Sequence, residues 1–189
     1  MRITTLGPRV ILALLLLTPP AVRAQTVALR GQVSAAVHVS ADEAQSQADG
    51  AEVSVTAVDA STLAVTISGS GGEARVRLPV KLRSNVGYAL LASGDGEIDV
   101  RLRVAEMKAT GRFVHADALE ALRLESPSSP TLQNTARPVA LLSGPPISKA
   151  GTFRSPDNAI EVVLTVELLP RAGRGPWSTR LTLSCAPRR

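Results

Sequence analysis

Aromatic residues are nearly absent from this sequence. One Trp, one Tyr and two Phe serve 189 residues. Neutral sugars are commonly held against exposed aromatic faces, and single-stranded nucleic acid stacks its bases on them. Both kinds of recognition therefore lack their usual platform, and any core must be aliphatic. Cysteine occurs once, as Cys185, so no disulfide can form within the chain. Stability then has to come from burial, an uncommon solution for a secreted protein. His38 and His115 are the only histidines, and neither has a second His or a Cys at metal-ligand spacing, which disfavours zinc. No Gly-x-Ser-x-Gly stretch occurs, and no phosphate-binding glycine loop leads into a helix. The sequence gives no reason to expect an enzyme or a bound cofactor. Asp95, Glu97 and Asp99 in SGDGEIDV offer oxygens but not a full calcium-loop signature, and the stretch reads as a hairpin turn with acidic flanks.

Long apolar runs are also missing. The longest is near the N-terminus, VILALLLL at 10–17, preceded by Arg2 and Arg9. Eight residues fall far short of the ~20 that a membrane-spanning helix needs. Val22-Arg23-Ala24 before Gln25 fits signal-peptidase cleavage after Ala24. The expectation is a cleaved signal peptide over 1–24 and a single domain over 25–189. The destination is then the periplasm, the cell surface or the medium. Cleavage removes Arg2, Arg9 and Arg23, leaving 18 basic and 16 acidic residues, a net +2. Charge is uneven along the chain. Residues 25–72 carry one basic residue, Arg30, against Asp42, Glu43, Asp49, Glu52 and Asp59. The positive character lies further on and is local, so general attraction to nucleic acid is not implied.

What the sequence does contain is period-two alternation. Val33, Ala35, Val37 and Val39 alternate with smaller or polar residues, and so do Val53 and Val55, then Leu63, Val65 and Ile67. The same pattern runs through Ile98–Val104, Ile160–Leu168 and Trp177–Leu183. This is the signature of half-buried antiparallel strands. Gly- and Pro-rich stretches at 68–72, 93–96, 143–146 and 171–176 separate the runs. The expected fold class is all-β, an antiparallel immunoglobulin-like β-sandwich, with a closed barrel as runner-up. Residues 40–50 read as an exposed loop and 126–138 as a longer connection. Asp117 and Glu120 could open a short helical turn near 117–123, although a strand fits there too. Tyr88 and Trp177 are expected to plug the core.

The candidate site is RVRLPVKLRS, residues 75–84. Arg75, Arg77, Lys81 and Arg83 project to one side of a strand, with Val76, Leu78, Val80 and Leu82 on the other. Pro79 places this strand at or near a sheet edge. Arg101 and Arg103 form a second pair on the polar side of their strand. Were the two strands neighbours, six cations would share one face able to bind an anionic glycan. A solvated face that guards an edge against aggregation explains the same charges. Glu73, Asp99 and Glu106 are close enough in sequence to neutralise part of the field. Cys185 continues the inward series Leu181, Leu183, which favours burial; exposed, it would offer an intermolecular disulfide.

Signal-like N-terminus, alternating strands and polar turns together resemble secreted bacterial immunoglobulin-like β-sandwich surface proteins, pilin-like and adhesin-like. That resemblance implies a non-enzymatic structural or interaction protein of the cell envelope or extracellular space. Its partners would be itself or other envelope proteins, met through strand edges. The N-terminal alternation from Val27 and Leu29 would be either a resident strand or one lent to a neighbour. The alternative is an anionic-glycan-binding module built on the basic strand face.

Overall fold

The computed structural model describes residues 34–96, 98–126, 129–132, 137–149, 151–170 and 175–188. The expected signal segment, Val27, Leu29, Val33 and Glu97 lie outside the described residues. Among the described residues there are twelve strands: β1 Val37–Ala41, β2 Gln47–Asp49, β3 Glu52–Asp59, β4 Thr62–Ser70, β5 Ala74–Ser84, β6 Tyr88–Asp95, β7 Asp99–Thr110, β8 Arg123–Leu124, β9 Thr131–Leu132, β10 Val139–Gly144, β11 Ala159–Leu169 and β12 Pro176–Pro187. They form two antiparallel sheets. Sheet A runs β1-β5-β11-β7-β9 with β2 also on β5, and sheet B runs β3-β4-β12-β6-β10-β8. The two sheets pack as an all-β sandwich. Alternation in sequence becomes alternation in burial: in β5, Ala74, Val76, Leu78, Val80 and Leu82 are buried while Arg75 and Arg77 are exposed. The core is aliphatic apart from Tyr88 and Trp177, both buried as expected.

Connectivity refines the expected sandwich. From β4 onward the long strands alternate between sheets: β4, β6, β10 and β12 lie in B, and β5, β7 and β11 in A. This is jelly-roll order, whereas an immunoglobulin domain divides its strands ABED and CFG. Most glycine-rich connections are therefore arches from one sheet to the other. The SGDGEIDV stretch is one of them, since β6 and β7 do not pair, which corrects the hairpin reading. A turn signal reports that the chain reverses, not whether the returning strand pairs beside its predecessor or across the core. Between β3 and β4 the hairpin is tight, and Asp59 Oδ1 accepts hydrogen bonds from Ser61 N at 2.6 Å and Ser61 Oγ at 2.9 Å.

Local expectations shift in three more places. Among the described residues the first strand starts at Val37, so Ala35 of the expected run precedes it. Before it, the Asn85 side chain takes over the ladder's role, accepting from Ala36 N at 2.7 Å and donating to Ser34 O at 3.0 Å. The 40–50 loop contains a 3-10 turn, Glu43–Gln45, and then β2, which pairs with Arg75–Arg77. The helical turn expected near 117–123 reduces to one i→i+4 bond, Ala121 N to Asp117 O at 2.9 Å, followed by an i→i+3 bond. The segment has too few residues before β8 to extend a helix past its nucleus. Pro79 fits β5 as the second strand of its sheet. On one side β1 pairs as far as Val80 and β2 begins at Arg77, so the missing N–H falls at the changeover.

Trp177 lies against Gly69, where a Cβ would come within 2.5 Å of indole Cζ2 and 2.8 Å of Gly50 O. Gly69→Ala is expected to cost about 1–3 kcal/mol through overpacking. Urea unfolding followed by Trp177 fluorescence measures this directly; a midpoint equal to that of the parent protein would refute the tight contact.

Candidate functional site

The outer face of sheet A carries every cation picked out from the sequence. Arg75, Arg77, Lys81 and Arg83 line β5, and Arg101 and Arg103 line β7. The strands are not neighbours, because β11 lies between them. Register across the three strands sets Arg75 opposite Glu167 and Glu167 opposite Arg101. One step along, Thr165 separates Arg77 from Arg103, and further on Glu161 separates Lys81 from Lys108. A bulge after Val163 brings Glu106 onto the same face. The six cations thus share a face, as required for a binding surface, with a carboxylate-bearing strand running through its middle.

Ion pairs follow this lattice. Arg75 Nη2 meets Glu167 Oε1 at 3.1 Å, Arg77 Nη2 meets Glu106 Oε1 at 2.8 Å, and Lys108 Nζ meets Glu161 Oε1 at 2.9 Å. Pairs this exposed contribute about 0–1 kcal/mol each, so they are weak as fasteners. Their larger effect is on shape, since the stems of these long side chains cover β11. Val163 and Thr165 point outward yet are only 8% and 7% exposed. Arg83 is tied down differently. Its Nη1 donates to Phe153 O at 3.5 Å and Arg154 O at 3.3 Å, and its guanidinium lies 5.7 Å from the Phe153 ring centroid. Burial lowers its pKa from the usual arginine value. Arg83 therefore anchors the 151–157 connection. Among the described residues, no ion pair engages Lys81, Arg101 or Arg103.

The strands β5, β11 and β7 together present seven cations on this face against Asp99, Glu106, Glu161 and Glu167, a net +3. At one end, Asp49, Glu73, Arg75, Arg101, Glu167 and Leu168 line an open cleft of about 360 Å³. His38 is on the wet side of β1, opposite Arg83 in register, and half-buried. Burial first and Arg83 second lower its pKa, favouring the neutral ring. Glu161, Glu167 and Lys108 were not singled out from sequence, although Glu161 and Glu167 alternate correctly for one strand face. What is nonlocal is that this strand sits between the two basic ones.

Other sequence candidates lie elsewhere. His115 is half-buried, and its backbone N–H donates to Ile147 O at 2.9 Å. Among the described residues, no three His, Cys, Asp or Glu side chains gather as a metal-ligand set. A cluster not foreseen joins Glu125, Ser143 and Arg188. Ser143 Oγ donates to Glu125 Oε1 at 2.5 Å, and Arg188 Nη1 donates to Ser143 Oγ at 2.6 Å, fastening the C-terminal segment to β10. Cys185 is 3% exposed on the inward face of β12, with its N–H donating to Ser61 O at 2.8 Å. β12 stays paired through Pro187, which holds Cys185 within the strand.

No protein-family model matches this chain, and no curated protein matches it. Among solved structures it is similar to the N-terminal cellulose-binding domain of β-1,4-glucanase C from Cellulomonas fimi. Identity is 14%, with 76% of this chain and 89% of that chain covered and a TM-score of 0.31. At that level the likeness bears on neither ligand nor site.

Burial pushes the Cys185 thiol up to about 12, so it stays protonated in the fold at neutral pH. An unfolded thiol titrates near 8.5. Above that pH the unfolded chain has lost a proton that the folded chain keeps, so stability falls as pH rises from about 8.5 to about 12. Denaturation midpoints across this range should drop less steeply in Cys185→Ala. In native buffer a thiol reagent should modify Cys185 no faster than the protein unfolds; rapid stoichiometric labelling would contradict its burial.

Proposed function

We propose that the protein is an exported, non-enzymatic interaction module that holds an anionic glycan on the outer face of sheet A. One observation carries this reading: the cations Arg75, Arg77, Lys81, Arg83, Arg101 and Arg103 lie on a single face, and among the described residues no carboxylate forms an ion pair with Lys81, Arg101 or Arg103. Arg101 and Arg103 are two positions apart on one strand, about 6.7 Å, and Arg75 is two strands from Arg101, about 9.6 Å. An extended polyanion lying along β7 would meet charge at the first spacing, and one crossing the strands would meet it at the second. Phe153 is the one aromatic beside these cations, and it is engaged under Arg83, which favours a glycan over a nucleic acid that needs bases stacked.

The test is retention on a sulfated polysaccharide resin and on a neutral cellulose resin over a salt series. The anionic resin should retain the protein and release it as salt screens the face. Arg101→Glu with Arg103→Glu should weaken binding by tenfold or more, about 1.4 kcal/mol. Folding stability should change by no more than about 0.5 kcal/mol, as for other surface substitutions. Equal retention on both resins, or a variant that binds as before, would defeat the proposal.

A further inference from the structure

The second surface with unspent bonding capacity is the edge of sheet B. Among the described residues, β3 pairs on one side only, with β4. Its backbone orientation follows from one hydrogen bond: Val55 N–H donates away from β4, to Glu43 Oε2 at 3.1 Å. In an antiparallel strand, N–H and C=O of one residue point to the same side and alternate along the chain. Val53, Val55 and Ala57 therefore turn their backbone groups outward, while Glu52, Ser54 and Thr56 bond to β4. Glu43 covers one of the three outward N–H groups. Beyond Ala57 the register shifts, and Val58 is 57% exposed.

Charge decides what fits this edge. Glu52 and Asp59 stand at the two ends of β3, and Glu43 sits over its middle. A second copy added antiparallel along the full strand would bring Glu52 of each chain toward Asp59 of the other, with both Glu43 side chains at the seam. Like charges placed opposite one another destabilise a strand pair. We propose that β3 is a strand-addition site for an extended segment of a partner protein that carries basic side chains. The incoming backbone takes the outward groups of Val53, Val55 and Ala57, and its basic side chains meet Glu43, Glu52 and Asp59. Main-chain hydrogen bonds supply the affinity and the acids supply the selectivity. Glu43 doubles as a guard that an uncharged or acidic strand does not displace.

The probes are an eight-residue peptide alternating lysine with valine and its glutamate–valine counterpart, each titrated into the full chain. Amide hydrogen exchange is read at Val53, Val55 and Ala57, and fluorescence anisotropy gives the affinity. The lysine peptide should slow exchange at all three amides at least several-fold, and the glutamate peptide should not. Glu52→Lys with Asp59→Lys should reverse this preference, a gain that a merely damaged fold would not produce. Arg101→Glu with Arg103→Glu should leave peptide binding unchanged, which separates this site from the glycan face. Equal binding of both peptides, protection elsewhere than β3, or loss of binding in the Arg101/Arg103 variant would overturn the proposal. So would a concentration-dependent dimer that protects the same amides without peptide, because the occupant would then be a second copy.

Discussion

Burial of aliphatic side chains between two sheets, with no covalent staple, is the constraint on which the rest of this molecule depends. Each fully buried Val or Leu contributes about 1.5–3 kcal/mol, set against ordering costs of similar total size. A core short of aromatics fills its volume with many small contributors, and those come from long strands on both sides. Alternation of the chain between sheets A and B meets that need, because each crossing delivers a fresh inward row to the opposite wall. The single tryptophan is accommodated by removing a side chain opposite it, at Gly69. Cys185 serves as one more small apolar residue in the same layer.

Facing is what sequence expressed best. A period of two assigned inside and outside correctly along Arg75–Arg83, and the series Leu181, Leu183, Cys185 carried the inward face to the end of β12. Neighbourhood was not legible. Arg75 and Arg101 are 26 positions apart, and the carboxylate between them, Glu167, comes from a strand much later in the chain. Nothing local in SGDGEIDV distinguishes an arch from a hairpin, and nothing local in the Asp117 segment reveals that the chain turns to a strand at Arg123. Strand order is decided by the packing of the whole sandwich, so the site was legible residue by residue but not as a pattern of mixed charge.

The two proposed surfaces differ in kind. Sheet A offers side chains on a face, arranged by register into rows of opposite charge, and its selectivity is electrostatic. Sheet B offers backbone at an edge, and its selectivity comes from the acids around that edge. The charge imbalance of the sequence, acids early and bases later, becomes in space an acidic β3 border and a basic β5–β7 surface. The two proposals therefore ask for chemically opposite partners, an anionic one at sheet A and a basic one at sheet B.

The order of the strands also has a consequence in time. β11 stands between β5 and β7, and β12 between β4 and β6, so the middle of each sheet is filled by the two described strands that come latest in sequence. During synthesis from the N-terminus, the earlier strands emerge with a gap at the centre of both sheets. At about 5–20 residues per second, the stretch from β11 through β12 takes seconds to appear, and until then neither wall can close. The sandwich stays open until β11 and β12 have been made, and both walls close only when this pair arrives.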